Sequence, residues 1–273
     1  MNQKGTFIFY EVTEMTDDEL LLSHARDLKQ RAADRGMLTH TSFLDLHQRS
    51  VLSRIERELN ADVQTFYCGG YPDAERTVAV FVPRFYGIDD LDAYFMENSA
   101  DNPLCLLRLE KDAFSTLSHR DYLGALMGLS VKRETLGDIL PDETGAFLVC
   151  LQSIRQFLLD NLFSAGRATL TVTEAPLESL GERQQNVKDF FVSVPSMRLD
   201  CVAAAAFRLS RTKAEQAIRS GLVFVNAVQT DKTDKKLDVG DVLVLRGKGK
   251  CKLLEQTGES KKGRLHLTVR QYL

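Results

Sequence analysis

The residues best suited to chemistry lie near the C-terminal end: Arg198, Ser210, Arg211, Lys213 and Arg219. A guanidinium group grips phosphate as a planar, two-pronged donor. A serine that caps a helix leaves neighbouring backbone N–H groups, and the positive end of the helix dipole, turned toward an anion. On a helix that starts after Ser210, Arg211, Glu215 and Arg219 share one face, while Ala214, Ala217 and Ile218 share another. This is the chemistry of phosphate recognition rather than of bond-making. The competing reading is a merely solvated helix face; the charge of the segment weighs against it, together with the order of the motifs along it. Residues 196–273 hold 16 Lys+Arg and 8 Asp+Glu, a net of +8. The whole chain is −3, so residues 1–195 carry 19 basic and 30 acidic side chains, a net of −11. Such a split points to a polyanionic partner for the tail. Asp231, Asp234 and Asp238 dilute the Lys232, Lys235 and Lys236 loop without cancelling it.

A second polar stretch runs Ser118-His119-Arg120-Asp121-Tyr122-Leu123-Gly124-Ala125-Leu126-Met127-Gly128-Leu129, followed by Lys132, Arg133, Gly137, Asp138 and Ile139. His119, Arg120, Lys132 and Arg133 are candidates to hold phosphates at the two ends of this helix, with Asp121 and Asp138 orienting them. His119 and Asp121 read equally well as parts of a local helix cap. Gly124 and Gly128 suit close packing against a neighbour. Phe85, Tyr86 and Tyr94 are able to stack on bases or to pack at a core edge. The His-Arg-Asp tripeptide is not a kinase catalytic loop: Leu126 stands where the asparagine would be, and there is neither a Gly-rich phosphate loop nor an Asp-Phe-Gly. No nucleophile elbow, His-Glu-x-x-His, P-loop or dinucleotide fingerprint occurs, so no catalytic residue and no cofactor are expected.

The 273 residues suffice for two or three domains. Apolar runs such as Phe147–Leu151 are far shorter than the ~20 residues of a membrane span. The first residues lack a signal-peptide pattern. Five scattered cysteines, with no Cys-x-x-Cys, give neither a zinc site nor a disulfide framework, and read as buried small apolar residues. A reducing cytoplasm is the expected location, with no metal.

Among the elements that must position these residues, Thr16 with Glu19 is a capping box for a helix over 17–35, ended by Gly36. Leu44, Val51, Leu52, Ile55 and Leu59 predict a second helix over 42–60. The texture then turns to β, with strands expected at 63–68, 77–82, 104–109, 146–151 and 168–173 and helices at 88–96, 122–127 and 153–163. One small sheet with helices on one face is the expected arrangement. The polar residues 178–189 read as a linker. In the tail, two helices precede strands at 223–226, 242–245, 252–255 and 265–269.

Arg198-Leu199-Asp200, Leu209-Ser210-Arg211, Ala214, Ile218, Gly221, Val223-x-Val225-Asn226 and Val239-Gly240-Asp241 resemble, in order, the S-four-type RNA-binding domain. With Phe81-Val82-Pro83 and the 118–139 stretch, the whole chain resembles the YlmH family of bacterial S-four-domain proteins. The resemblance implies an α+β fold: a small helical N-terminal unit (1–60), an RNA-recognition-like α/β domain (61–176), a linker (177–195) and a C-terminal S-four-type RNA-binding domain (196–273). It adds Asn226 to the RNA-facing residues. It also implies ribosomal RNA, tRNA and the large ribosomal subunit as partners, in quality control of stalled nascent chains. Two other readings stay open. One is an RNA-modifying enzyme of the pseudouridine-synthase kind, although there the RNA-binding module usually precedes the catalytic domain. The other is a cell-division-linked scaffold protein.

Overall fold

The structure is a computed structural model that describes residues 16–56, 61–72, 74–180, 187–261 and 263–272. The end of the expected second helix at 57–60 and the middle of the expected linker at 181–186 lie outside the described residues.

The first unit opens with α1 (Asp17–Arg35), capped by Thr16 and Glu19 and stopped by Gly36 at φ 61°. A two-residue β1 (Thr39–His40) follows, then α2 (Leu46–Ile55). This helix starts later than its apolar spacing predicts. Asp45 is the cap, accepting from the Gln48 N–H at 2.9 Å, and Leu44 is held extended by backbone bonds to Thr77. β2 (Val63–Cys68) and β3 (Val78–Pro83) pair with β1 in the order β1-β3-β2, and α3 (Leu91–Glu97) comes next.

The middle domain contains β4 (Leu104–Lys111), α4 (His119–Gly128), β5 (Leu136–Pro141), β6 (Gly145–Leu151), α5 (Gln152–Asn161), β7 (Ser164–Ala165) and β8 (Ala168–Ala175). The five strands are ordered β5-β6-β4-β8-β7, all antiparallel. With β7 set aside, this is the β-α-β-β-α-β succession with the first and third strands at the centre. The local sequence at 136–141 carries little alternation, and β5 is visible only through its pairing with β6.

The expectation of one sheet is corrected: there are two, stacked face to face. β3, β4 and β6 are apolar on both sides and so require cover on both sides. Val78, Val80 and Val82 of β3 pack with Leu104, Leu106, Val149 and Leu151 of the five-stranded sheet, sharing that core with Leu91 and Phe95 of α3. On the outer face of the small sheet, Ala79 and Phe81 meet Ala25, Leu28 and Leu52 of the first two helices. On the outer face of the large sheet, Leu107, Leu109 and Leu148 meet Tyr122 and Leu126 of α4 and Leu158 of α5. The result is four layers: helices, sheet, sheet, helices.

The C-terminal domain begins earlier than expected. Val187–Val194, read as linker from its polar surroundings, is a strand, β9, paired along its length with the last strand of the chain. Then come α6 (Leu199–Ala206), α7 (Arg211–Arg219), β10 (Val223–Val225), β11 (Val228–Gln229), β12 (Val242–Leu245), β13 (Gly249–Glu259) and β14 (Leu265–Tyr272). The sheet order is β11-β10-β12-β13-β14-β9. Leu199, Val202, Ala203, Ala214 and Ile218 of the two helices fill one core with Val225, Leu243, Leu253, Leu267 and Val269 of the sheet.

All five cysteines are free and buried. Among the described residues there is no cluster of His, Cys, Asp and Glu able to hold a metal, and no helix is long and apolar enough to cross a membrane.

Candidate nucleic-acid interface

The centre of the tail surface is a carboxylate. Asp200 is fully buried in the first turn of α6. Its Oδ1 accepts from Arg198 Nε at 3.1 Å and from the Cys201 N–H at 3.0 Å. Its Oδ2 accepts from Arg198 Nη2 at 3.3 Å, Arg211 Nε at 2.9 Å and Arg211 Nη2 at 2.5 Å. The arginines stay accessible, with side-chain exposures of 44% and 55%. Burial pushes the Asp200 carboxyl upward, but the two guanidinium groups overcome this and hold it below the ordinary carboxylate range. Arg198 and Arg211 are correspondingly held more firmly protonated by their bonds to Asp200. Residues thirteen apart in sequence thus form one rigid fork, with edges left for a phosphate. The Arg-Leu-Asp tripeptide contains both the carboxylate and one of the cations, but nothing in its spacing marks Asp200 as their common anchor.

Around this fork the backbone brings the loop lysines close. The Leu199 N–H donates to the Lys235 carbonyl at 2.8 Å and the Asp200 N–H to that of Thr233 at 3.0 Å, while Arg198 and Lys236 form a β-bridge. Lys232 and Lys236 are exposed on this loop. On α7, Ser210 is the cap and accepts from the Lys213 N–H at 3.3 Å. Lys213 and Arg219 are exposed. Eight residues at ~1.5 Å rise separate Arg219 from Arg211 by about 12 Å, two turns along the same face. Glu215 lies between them, 3.3 Å from Arg211 Nε.

Asn226 is placed differently from the expectation. It has φ 51° and is followed by Ala227 at φ 64°, the two central residues of the β10–β11 hairpin. Its Nδ2 donates to Asp241 Oδ1 at 2.8 Å and its Oδ1 accepts from the Val242 N–H at 2.9 Å. Both ends of the amide are engaged in holding the turn, which explains the residue without RNA.

The middle domain gives a mixed result. His119 and Arg120 are exposed in the first turn of α4. Asp121 does not orient them: its carboxylate accepts from the Ser118 N–H and Oγ, both at 2.7 Å, and those bonds depress its pKa. Arg133 is not at hand for phosphate either. Its guanidinium donates to the Leu136 and Gly137 carbonyls at 2.8 and 3.2 Å. Asp138 instead accepts from Tyr71 Oη at 2.7 Å and the Glu75 N–H at 2.8 Å, locking the β2–β3 connection to the middle domain. A Cβ added at Gly124 or Gly128 would meet nothing within 4 Å, so the expected close packing is absent there. Gly124 instead lines an open groove of about 490 Å³ with Arg120, Asn161, Phe163 and Gly166.

The sheet face that an RNA-recognition fold uses for stacking bases lies opposite its helices. Here that face is closed. Leu104, Leu106 and Val149 are at most 1% exposed beneath the first unit.

This layout has counterparts among known proteins. Family models match in three consecutive blocks: "YlmH, N-terminal" over residues 19–83, "Putative RNA-binding domain in YlmH" over 99–179, and "S4 domain" over 197–243. The ribosome-associated protein quality control protein P2 of Bacillus subtilis (strain 168) is 31% identical over 252 residues, spanning 92% of this chain and 94% of the relative. The chain belongs to the YlmH family. A solved structure, the cell division protein ylmH from Streptococcus pneumoniae, is similar at TM-score 0.48 and 16% identity, over 64% of this chain and 98% of that one. The YlmH blocks coincide with the sheets: the first ends at Pro83, the last residue of β3, and the second encloses the whole five-stranded sheet.

Proposed function

We propose that this YlmH-family chain is a non-enzymatic RNA-binding factor of the translation machinery, working in the cytoplasm. It binds ribosomal RNA and tRNA on the large ribosomal subunit when nascent chains stall. The observation that carries the reading is the Arg198–Asp200–Arg211 fork, two half-exposed guanidinium groups fixed by one buried carboxylate on a domain of net charge +8. The S4 match over the same residues and the printed name of the B. subtilis relative support the setting. The absence of a catalytic signature from the sequence supports a binding role. The test is co-sedimentation of the full chain with purified large subunits across a salt series. Arg211→Ala should weaken binding and reduce the slope of log affinity against log salt by about one unit, the release expected for one phosphate contact. Unchanged affinity and slope would remove Arg211, and with it the fork, from the interface. A modified nucleotide appearing in RNA incubated with the protein would replace this reading with the enzymatic one.

A further inference from the structure

We propose that the first unit carries a separate docking surface for protein: an aromatic ledge that takes an extended, arginine- and lysine-rich segment of a partner chain. The ledge is made of Phe85, Tyr86 and Tyr94. Phe85 is 73% exposed, and its ring stacks on Tyr86, with centroids 4.9 Å apart and planes 27° from parallel. Tyr86 in turn meets Tyr94 edge-on at 6.3 Å. Two of the three rings are pinned by their hydroxyls: Tyr86 donates to the Gly36 carbonyl at 3.2 Å and Tyr94 to Asp101 Oδ2 at 2.5 Å. A ligand laid on this face therefore meets two tyrosines already held by hydroxyl bonds, which lowers the cost of ordering them on binding.

The surrounding charge selects the ligand. Between Phe85 and Asp101 the chain holds five carboxylates, Asp89, Asp90, Asp92, Glu97 and Asp101, and no lysine or arginine. Glu97, three residues after Tyr94, shares its side of α3, while the Asp90 carboxylate caps that helix, accepting from the Asp92 and Ala93 N–H groups at 3.0 and 3.1 Å. The flanking cations along the chain are Arg84, whose Nε donates to the Ala61 carbonyl at 2.7 Å, and Arg108, whose guanidinium is paired with Asp142 at 2.8 Å; Arg35 adjoins Gly36, whose carbonyl accepts from Tyr86. Single-stranded RNA stacked here would bring its phosphates against this excess of carboxylate, so base stacking, which the aromatic residue types alone allow, is disfavoured. A cationic peptide gains on both counts. A guanidinium over the face of Phe or Tyr contributes about 0.5–1 kcal/mol at an exposed site, and flanking carboxylates add attraction that salt weakens. Arginine fits better than lysine, because its planar head stacks on the ring while its edges reach the acids.

The test uses the full chain and a fluorescein-labelled peptide of alternating arginine and glycine, followed by fluorescence anisotropy. A glycine–serine peptide and an oligouridine serve as comparison probes. The arginine peptide should bind and the glycine–serine peptide should not. Phe85→Ala should weaken peptide binding about fivefold, a loss of ~1 kcal/mol, and leave oligouridine binding unchanged. Phe85→Trp should bind the peptide at least as tightly as the parent. D89N/E97Q should weaken binding and flatten its salt dependence, which keeps the test decisive if either Phe85 variant alters folding. The proposal is overturned if the parent does not bind the arginine peptide, if Phe85→Ala binds it as the parent does, or if Phe85→Ala loses oligouridine instead. Loss of ribosome co-sedimentation on Arg211→Ala with peptide binding intact separates this surface from the RNA site.

Discussion

Asp200→Asn isolates the charge at the centre of the fork. The substitution keeps the volume and one acceptor oxygen but removes the negative charge that orients both arginines. In the parent, the carboxylate accepts four guanidinium bonds and the Cys201 N–H, at 2.5–3.3 Å. Breaking a fully buried ion pair costs about 3–5 kcal/mol. Here only Asp200 is buried, and the half-exposed arginines return to water, so the cost is reduced. Weakened charge-assisted hydrogen bonds contribute about 1.5–3 kcal/mol and the lost charge at the helix N-terminus about 0.3–1 kcal/mol. A net destabilisation of about 2–3 kcal/mol follows. The chain has several domains, so the appropriate assay is local: amide exchange of α6 peptides, which should speed up about 30- to 150-fold. The pH dependence has a definite sign. Because the native carboxyl is held below its ordinary value, its contribution is complete above the ordinary carboxylate range. It is lost as pH falls through the lowered native pKa, where parent and variant should converge. RNA affinity at pH 7 should fall about five- to tenfold although the domain has gained a positive charge. An affinity that rises with the added charge, or an exchange change below about threefold, would refute the fork as a positioning device.

Two further outcomes follow from the geometry. Asn226→Ala removes the bridge from Nδ2 to Asp241 and from Oδ1 to Val242, so it should cost the tail domain about 1–2 kcal/mol in urea unfolding. RNA affinity should change by less than about twofold, and a large loss at unchanged stability would return Asn226 to the interface. Leu106→Ala hollows the contact between the two stacked sheets, where Leu106 is 1% exposed. It should destabilise the first unit and the middle domain together by about 2–5 kcal/mol. A loss under about 1 kcal/mol would mean that this sheet face is open.

Most of what is local is readable in the sequence. Thr16 with Glu19, Ser118 with Asp121, and Ser210 are caps whose side chains bond within four residues, so sequence spacing is enough to find them. The basic tail is equally plain, because the positions of the S4 pattern lie within about fifty residues of one another. What escapes depends on distant pairing. β9 has a charged start and an exposed Phe191, and becomes a strand only because β14 runs beside it. The double-sided burial of Val78–Pro83 is present as an unbroken apolar run, but the sheet that covers it is formed by residues up to about seventy positions later. Asn226, Arg133 and Asp138 share one failing of residue-type reasoning: a polar side chain able to meet a ligand is already bonded to its own fold.

The arrangement also explains why an acidic body accompanies an RNA-binding tail. The middle domain has the topology of an RNA reader, but its reading face is spent on holding the first unit, and residues 1–195 carry −11. On the proposed function, this charge split favours approach of phosphate to the tail over the body. Orientation persists after contact because the tail is tied to the body. The Gln229 N–H in β11 donates to Ser50 Oγ of α2 at 2.9 Å, and Ser50 is fully buried. Glu75, on the β2–β3 connection, is raised by its burial and by Asp138, and is drawn back down by Lys250 of β13 and His119 of α4. On the reading proposed above, an RNA held by Arg198 and Arg211 would meet a body whose orientation is set in part by the Ser50–Gln229 contact.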